Sequence, residues 1–156
     1  FHKAMNPNLI LLIIGDGAHK NELEQYVLEN NIANVYFFKT KPRSEQAKFL
    51  NSCDIGLITL CEGMYGLGVP SKVYNLMSAA KPIFYVGDKN SEIDNYIKKN
   101  KIGWSFNWQD ENEILNFLIQ LDYSIDFESM GNNARNFALN NFTEANILSQ
   151  YKKVLS

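Results

Sequence analysis

The sequence predicts an α/β fold built on a parallel sheet with helices on both faces, and three observations carry that prediction. Short apolar, β-rich runs alternate with stretches at helical spacing along the whole chain. Glycine-containing turns follow the first run and the third. No internal repeat or low-complexity linker interrupts the alternation, and strand, helix, strand at this spacing implies parallel pairing.

The elements follow in order. Leu9–Ile14 is a near-continuous apolar strand ended by Gly15-Asp16-Gly17, and Asn21–Asn30 is a helix with Leu23, Tyr26 and Val27 at helical spacing. Val35–Phe38 is the second strand, and Ser44–Asn51 a helix that Ser44 could cap. Ile55–Leu60 is a buried strand, Ser71–Ala80 a helix, and Ile83–Val86 a fourth strand. Ser91–Asn100 is helical, with Ser91 and Asp94 spaced like a capping box. Gly103–Phe106 is the last strand. Glu111–Leu121 and Phe127–Asn140 are helical, and Glu144–Leu155 is an amphipathic helix with Ile147, Leu148, Tyr151 and Leu155 on one face.

Composition bounds the function. The chain has 156 residues, enough for one domain spanning 1–156 with a real core, and its 46% hydrophobic and 21% charged content is that of a globular protein. A net charge of −2 and a pI near 5.7 give no electrostatic case for nucleic acid. Leu9–Ile14 and Ile55–Leu60 are far too short to span a bilayer, and no signal peptide opens the chain. Cys53 and Cys61 lack metal-ligand or redox spacing and read as free thiols of a reducing compartment. The histidines His2 and His19 join no nucleophile or metal constellation, so no metal site is expected. Trp104 and Trp108 flank the last strand and read as core or rim packing.

The stretch richest in chemistry is Gly66-Leu67-Gly68-Val69-Pro70-Ser71-Lys72, a glycine loop opening a helix. Glycines let the backbone approach an anion, and the first free N–H groups of a helix point at it. Ser71 and Lys72 add a hydroxyl donor and a cation. A plain strand-to-helix connection, with Pro70 in the first turn and Ser71 as cap, is the competing reading. In open parallel sheets ligands bind beyond the carboxyl ends of the strands, which is where the turns Gly15–Ala18, Lys39–Arg43 and Leu60–Lys72 are expected. Asp16 reads as a ligand-facing carboxylate or as an ordinary turn residue.

The order of these motifs resembles the donor-binding, Rossmann-like C-terminal domain of the group 1 (GT4-like) glycosyltransferases of the GT-B fold. The resemblance rests on Leu12-Ile13-Ile14-Gly15-Asp16-Gly17, Asn34-Val35-Tyr36-Phe37-Phe38 and Phe49–Leu60 with Cys53-Asp54-Ile55 inside it. Asn75-Leu76-Met77-Ser78-Ala79-Ala80-Lys81-Pro82-Ile83 is similar to the family's Glu-Ala-Met-Ala-Ala-Gly-Lys-Pro-Val, and Asn133-Ala134-Arg135 with Asn141-Phe142-Thr143 resembles its closing helices. Pro70-Ser71-Lys72 resembles a Pro-Ser-Lys subtype found in surface-polysaccharide assembly.

The resemblance implies a retaining, metal-independent transfer of a sugar from a UDP- or GDP-sugar to a glycan or lipid-linked acceptor, with no cofactor. Gly66, Gly68, Ser71 and Lys72 would hold the donor diphosphate, Lys72 also acting in catalysis. Asn75 would meet the ribose, and Thr40 and Lys41 the base. The family's paired glutamates are replaced by Leu67 and Asn75, so Glu62 is the candidate for the carboxylate facing the sugar, its other reading being a solvated loop residue. The resemblance also implies a missing acceptor domain and a missing first strand and helix of this domain, with Phe1–Asn6 the tail of that helix. Upstream sequence or strand exchange in a dimer would then complete the sheet. The implied location is cytoplasmic or peripheral at the inner face of the membrane. Two other functions compete: a nucleotide-sugar-binding module without catalysis, made plausible by Leu67 and Asn75, and a dinucleotide-dependent oxidoreductase, suggested by Gly15-Asp16-Gly17 but lacking a third glycine where Lys20 stands.

Overall fold

The computed structural model describes residues 1–64, 66 and 68–155. Five strands form where the apolar runs lie: β1 Leu11–Ile14, β2 Val35–Phe38, β3 Gly56–Thr59, β4 Ile83–Val86 and β5 Gly103–Phe106. Every pairing is parallel, as the alternation demands. The helices are α1 Lys20–Glu29, α2 Gln46–Asn51, α3 Lys72–Ser78, α4 Glu92–Asn100, α5 Glu111–Gln120, α6 Phe127–Asn141 and α7 Glu144–Leu155. His2–Ala4 is a single 3-10 turn stopped by Met5 in the left-handed conformation.

The ladder is in two pieces. β1 pairs with β2 in register Leu11↔Val35 to Ile14↔Phe38, and β3, β4 and β5 form a second sheet in that order. The chain divides into two compact units, Phe1–Gln46 with Asn112–Asp122 and Ala47–Glu111 with Tyr123–Ser156.

In the first unit the buried apolar residues are Ala4 and Leu121. The Asn6 side-chain amide donates to the carbonyls of Leu118 and Leu121, each at 2.9 Å, and so satisfies the open C-terminal end of α5. No residue of α1 is buried, and Leu12, Tyr36 and Phe38 are exposed although parallel strands ordinarily bury both faces.

The second unit holds the main core: Ile58, Val73, Leu76, Met77, Ile83, Tyr85, Ile93, Ile97, Ile102, Ala134 and Ala138. Tyr74, Tyr96, Phe137 and Phe142 pack beside it edge-to-face or tilted, with ring centroids 4.9–5.6 Å apart. Two glycines set close approaches. A methyl at Gly103 would collide with the Ile83 backbone, and one at Gly131 with the Ala80 carbonyl where α6 crosses the end of α3. Helix α3 stops in a Schellman motif, the Lys81 N–H bonding the Leu76 carbonyl and the Ala80 N–H that of Met77, each at 3.0 Å, with Pro82 next.

Candidate functional site

The sequence-predicted residues fall into two groups, one in each unit. In the second unit the loop after β3 carries Glu62, Gly66, Gly68 and Ser71 into α3. Gly66 and Gly68 have φ of 78° and 119°, values that side chains rarely adopt, while a Cβ at either would meet open space. Conformation, rather than crowding, therefore requires glycine there. Leu67 lies outside the described residues.

Ser71 does not cap. It already has helical φ and ψ (−56°, −21°), and its side chain accepts no hydrogen bond from the helix. Its hydroxyl is exposed, as are the Lys72 ammonium and the Glu62 carboxylate, and none of the three has a hydrogen bond or ion pair among the described residues. Asn75, one turn further on and half-buried, donates its backbone N–H to the Ser71 carbonyl at 3.2 Å. The first turn of α3 thus presents a hydroxyl, a cation and an amide beside a glycine loop. With seven residues α3 contributes a small dipole, so attraction for an anion here rests on Lys72 and on backbone N–H groups.

In the first unit Asp16 is neither a bare ligand carboxylate nor a simple turn residue. It accepts the Thr40 hydroxyl at 2.7 Å, the Thr40 N–H at 3.2 Å and the Lys20 ammonium at 3.0 Å. Lys20 also donates to the Phe38 carbonyl at 3.2 Å. Hydrogen bonds from the Thr40 hydroxyl, Lys20 and the Thr40 amide hold the Asp16 carboxyl down to about 2. Thr40, expected to meet a base, has both donors engaged on Asp16 and retains only acceptors toward solvent. Lys41 is exposed beside it. Lys20 was read only as an absent glycine, although its i,i+4 spacing from Asp16 signals an ion pair. With its ammonium spent on Asp16 and Phe38, the turn lacks the open third-glycine position of a dinucleotide fingerprint.

Elsewhere, Cys53 and Cys61 are free thiols, and burial raises the Cys53 pKa. Among the described residues no three His, Cys, Asp or Glu side chains stand together as a metal site. Among the described residues no helix is long and apolar enough to cross a membrane.

The family model for glycosyl transferases group 1 matches residues 1–137. The chain is 35% identical over 139 residues to a Pseudomonas aeruginosa protein named "Probable glycosyltransferase WbjE", a match that takes in 89% of this chain and 34% of that one. This chain therefore spans about a third of that relative's length. Two solved structures share the fold. Anabaena HepE in complex with UDP-glucose superposes with a TM-score of 0.70 at 19% identity, over 97% of this chain and 42% of that one. A Staphylococcus aureus TarM mutant in complex with Fondaparinux, alpha-GlcNAc-glycerol and UDP superposes at 0.76 with 18% identity, over 97% and 30%. At such identities the likeness is one of fold, that of the GT-B glycosyltransferases.

Proposed function

The chain belongs to the group 1 glycosyl transferases, and from that premise we propose that it is the donor-binding part of a longer enzyme that moves a sugar from a nucleoside diphosphate to an acceptor hydroxyl. The observation that carries this reading is the loop after β3: two left-handed glycines run into Ser71 and Lys72, a hydroxyl and a cation with no partner among the described residues. The UDP-glucose of HepE and the UDP of TarM support a nucleotide-sugar as the substrate.

In this reading Gly66, Gly68, Ser71 and Lys72 hold the diphosphate. The bond from the anomeric carbon to the phosphate oxygen breaks with its electron pair on the phosphate, and the acceptor oxygen takes the sugar and gives up its proton to the departing phosphate. Charge grows on the β-phosphate as that bond lengthens, and a positioned ammonium stabilises it where water would have to reorganise. No metal or cofactor takes part, and the anomeric configuration is retained. Asn75 meets the ribose, Lys41 and the Thr40 backbone meet the base, and Glu62 faces the donor sugar. The acceptor, a glycan or lipid-linked glycan of cell-surface polysaccharide assembly, binds to another part of the enzyme, on the cytoplasmic side of the membrane. A strand from the rest of the longer enzyme, or one exchanged from a second copy, pairs with an edge of these short parallel ladders.

The test is donor binding followed by turnover. Titrating UDP, GDP, ADP and NAD should give saturable amide shifts confined to Gly15–Ala18, Thr40–Lys41 and Gly66–Asn75 with one diphosphate. Lys72→Ala in the full-length enzyme should then lower kcat by ~10²-fold, the scale of one lost oxyanion-type donor. Unchanged turnover would remove Lys72 from the chemistry. Asn75, an amide where the family has a carboxylate, favours a second reading as a nucleotide-sugar-binding module without catalysis. Saturable donor binding with no transfer and no donor hydrolysis by the full-length protein would select it.

A further inference from the structure

We infer that Asp16 is a positioning residue, whose carboxylate clamps the loop after β2 to the turn after β1 and so presets the Thr40–Lys41 backbone for the nucleotide base. The inference rests on the donor-binding reading above.

Three donors converge on this one side chain. The hydroxyl and N–H of Thr40 take one carboxylate oxygen, at 2.7 and 3.2 Å, and the Lys20 ammonium takes the other at 3.0 Å. Lys20 reaches on to the Phe38 carbonyl at 3.2 Å, the last carbonyl of β2. The Gly15 N–H bonds that same carbonyl at 3.1 Å, so the two strand ends are tied at three successive points: Gly15 to Phe38, Lys20 to Phe38 and Asp16 to Thr40. Beyond β2 the backbone leaves the ladder, and Lys39, Thr40 and Lys41 are all exposed. Among the described residues Thr40 has no hydrogen bond other than those to Asp16. A loop ordered before the ligand arrives binds it more tightly, because the entropy of ordering is already spent. Ordinary salt bridges at such exposure contribute little stability, so three bonds concentrated on one exposed carboxylate point to placement of the loop. The low pKa of Asp16, about 2, keeps the carboxylate charged throughout the range in which an enzyme works.

The clamp also fixes what Thr40 offers. With its hydroxyl proton and N–H turned onto Asp16, Thr40 can only accept, through its hydroxyl lone pair and its carbonyl, and the N–H groups of the base are the matching partners.

The experiment is a double-mutant cycle in the full-length protein, reading nucleotide affinity and steady-state rates. The probe is whichever of UDP, GDP and ADP the wild type binds most tightly. Asp16→Ala should weaken that nucleotide about tenfold and raise donor KM alike, the scale of one misplaced hydrogen-bonding loop, while kcat at saturating donor stays within about twofold. Thr40→Val should weaken it less, and the double variant should be no worse than Asp16→Ala, since both act through one contact. Asp16→Asn, nearly isosteric, keeps an acceptor for Thr40 and should recover part of the affinity; it also serves if Asp16→Ala does not fold. Additive effects, or a kcat that falls along with the melting temperature, would mean that Asp16 only holds the fold. Wild-type affinity in a folded Asp16→Ala protein would overturn the clamp alone. A wild-type protein that binds none of the three nucleotides would overturn the donor-binding reading itself, and this role with it.

Discussion

Asp94 shows how a single buried charge fixes a local structure. Its side chain is 2% exposed, yet it accepts the Asn90 N–H at 2.8 Å, the Ser105 hydroxyl and the Lys98 ammonium. Burial pushes its carboxyl up, but the hydrogen bonds from Lys98, Ser105 and Asn90 outweigh that and hold it below the usual carboxylate range. The expected capping box is therefore half realised. Ser91 accepts the Asp94 N–H at 3.2 Å, but the Asp94 carboxylate reaches one residue further back, to Asn90, and across to β5. Asp94→Asn should cost about 2 kcal/mol at neutral pH, because a buried amide cannot accept from all three donors. A depressed folded-state pKa gives stability that is full above the unfolded value and lost as pH falls toward the folded one. The gap between wild type and variant in urea melts should accordingly narrow as the pH drops below the carboxylate range. A gap independent of pH would show that shape, not charge, is what Asp94 supplies.

At the scale of elements, the sequence carried the strands and helices nearly to their ends, because each apolar run is short, β-rich and punctuated by glycine, proline or asparagine. What it missed is set by contacts distant in sequence. Ser44 lies inside a 3-10 turn, Arg43–Glu45, and caps nothing. The apolar stripe of α7 is real, but Leu148 and Tyr151 stand exposed, since periodicity cannot say whether a partner surface is there. In the candidate site the glycine loop was legible from residue types alone, whereas the Asp16–Thr40 clamp joins residues 24 apart across a parallel pair and left no local trace. The sequence reading passed over Ala80, which the structure puts at φ 54°, the left-handed position of the Schellman stop on α3. A side chain there costs roughly 1–2 kcal/mol, and glycine's extra freedom in the unfolded chain returns about 0.4–1 of it. Ala80→Gly should raise stability by about 0.5–1 kcal/mol, a rise of a few degrees in melting temperature. No rise would mean that the Ala80 methyl contributes packing that the backbone geometry does not reveal.

For the whole molecule, the uneven core dictates uneven stability. The second unit encloses eleven buried core residues around β3, β4 and β5. The first has a two-stranded sheet with Leu12, Tyr36 and Phe38 exposed and an α1 that buries nothing. Burial of apolar area is the main favourable term in folding, and a two-stranded sheet is marginal by itself. The two units should therefore open separately in this chain. Hydrogen exchange should find the amides of Leu11–Ile14 less protected than those of Ile83–Val86 by ~100-fold or more. In denaturant, far-UV circular dichroism should begin to fall before tryptophan fluorescence, because Trp104 and Trp108 both belong to the second unit. Coincident transitions with even protection would show that the first unit is held by more than its own burial.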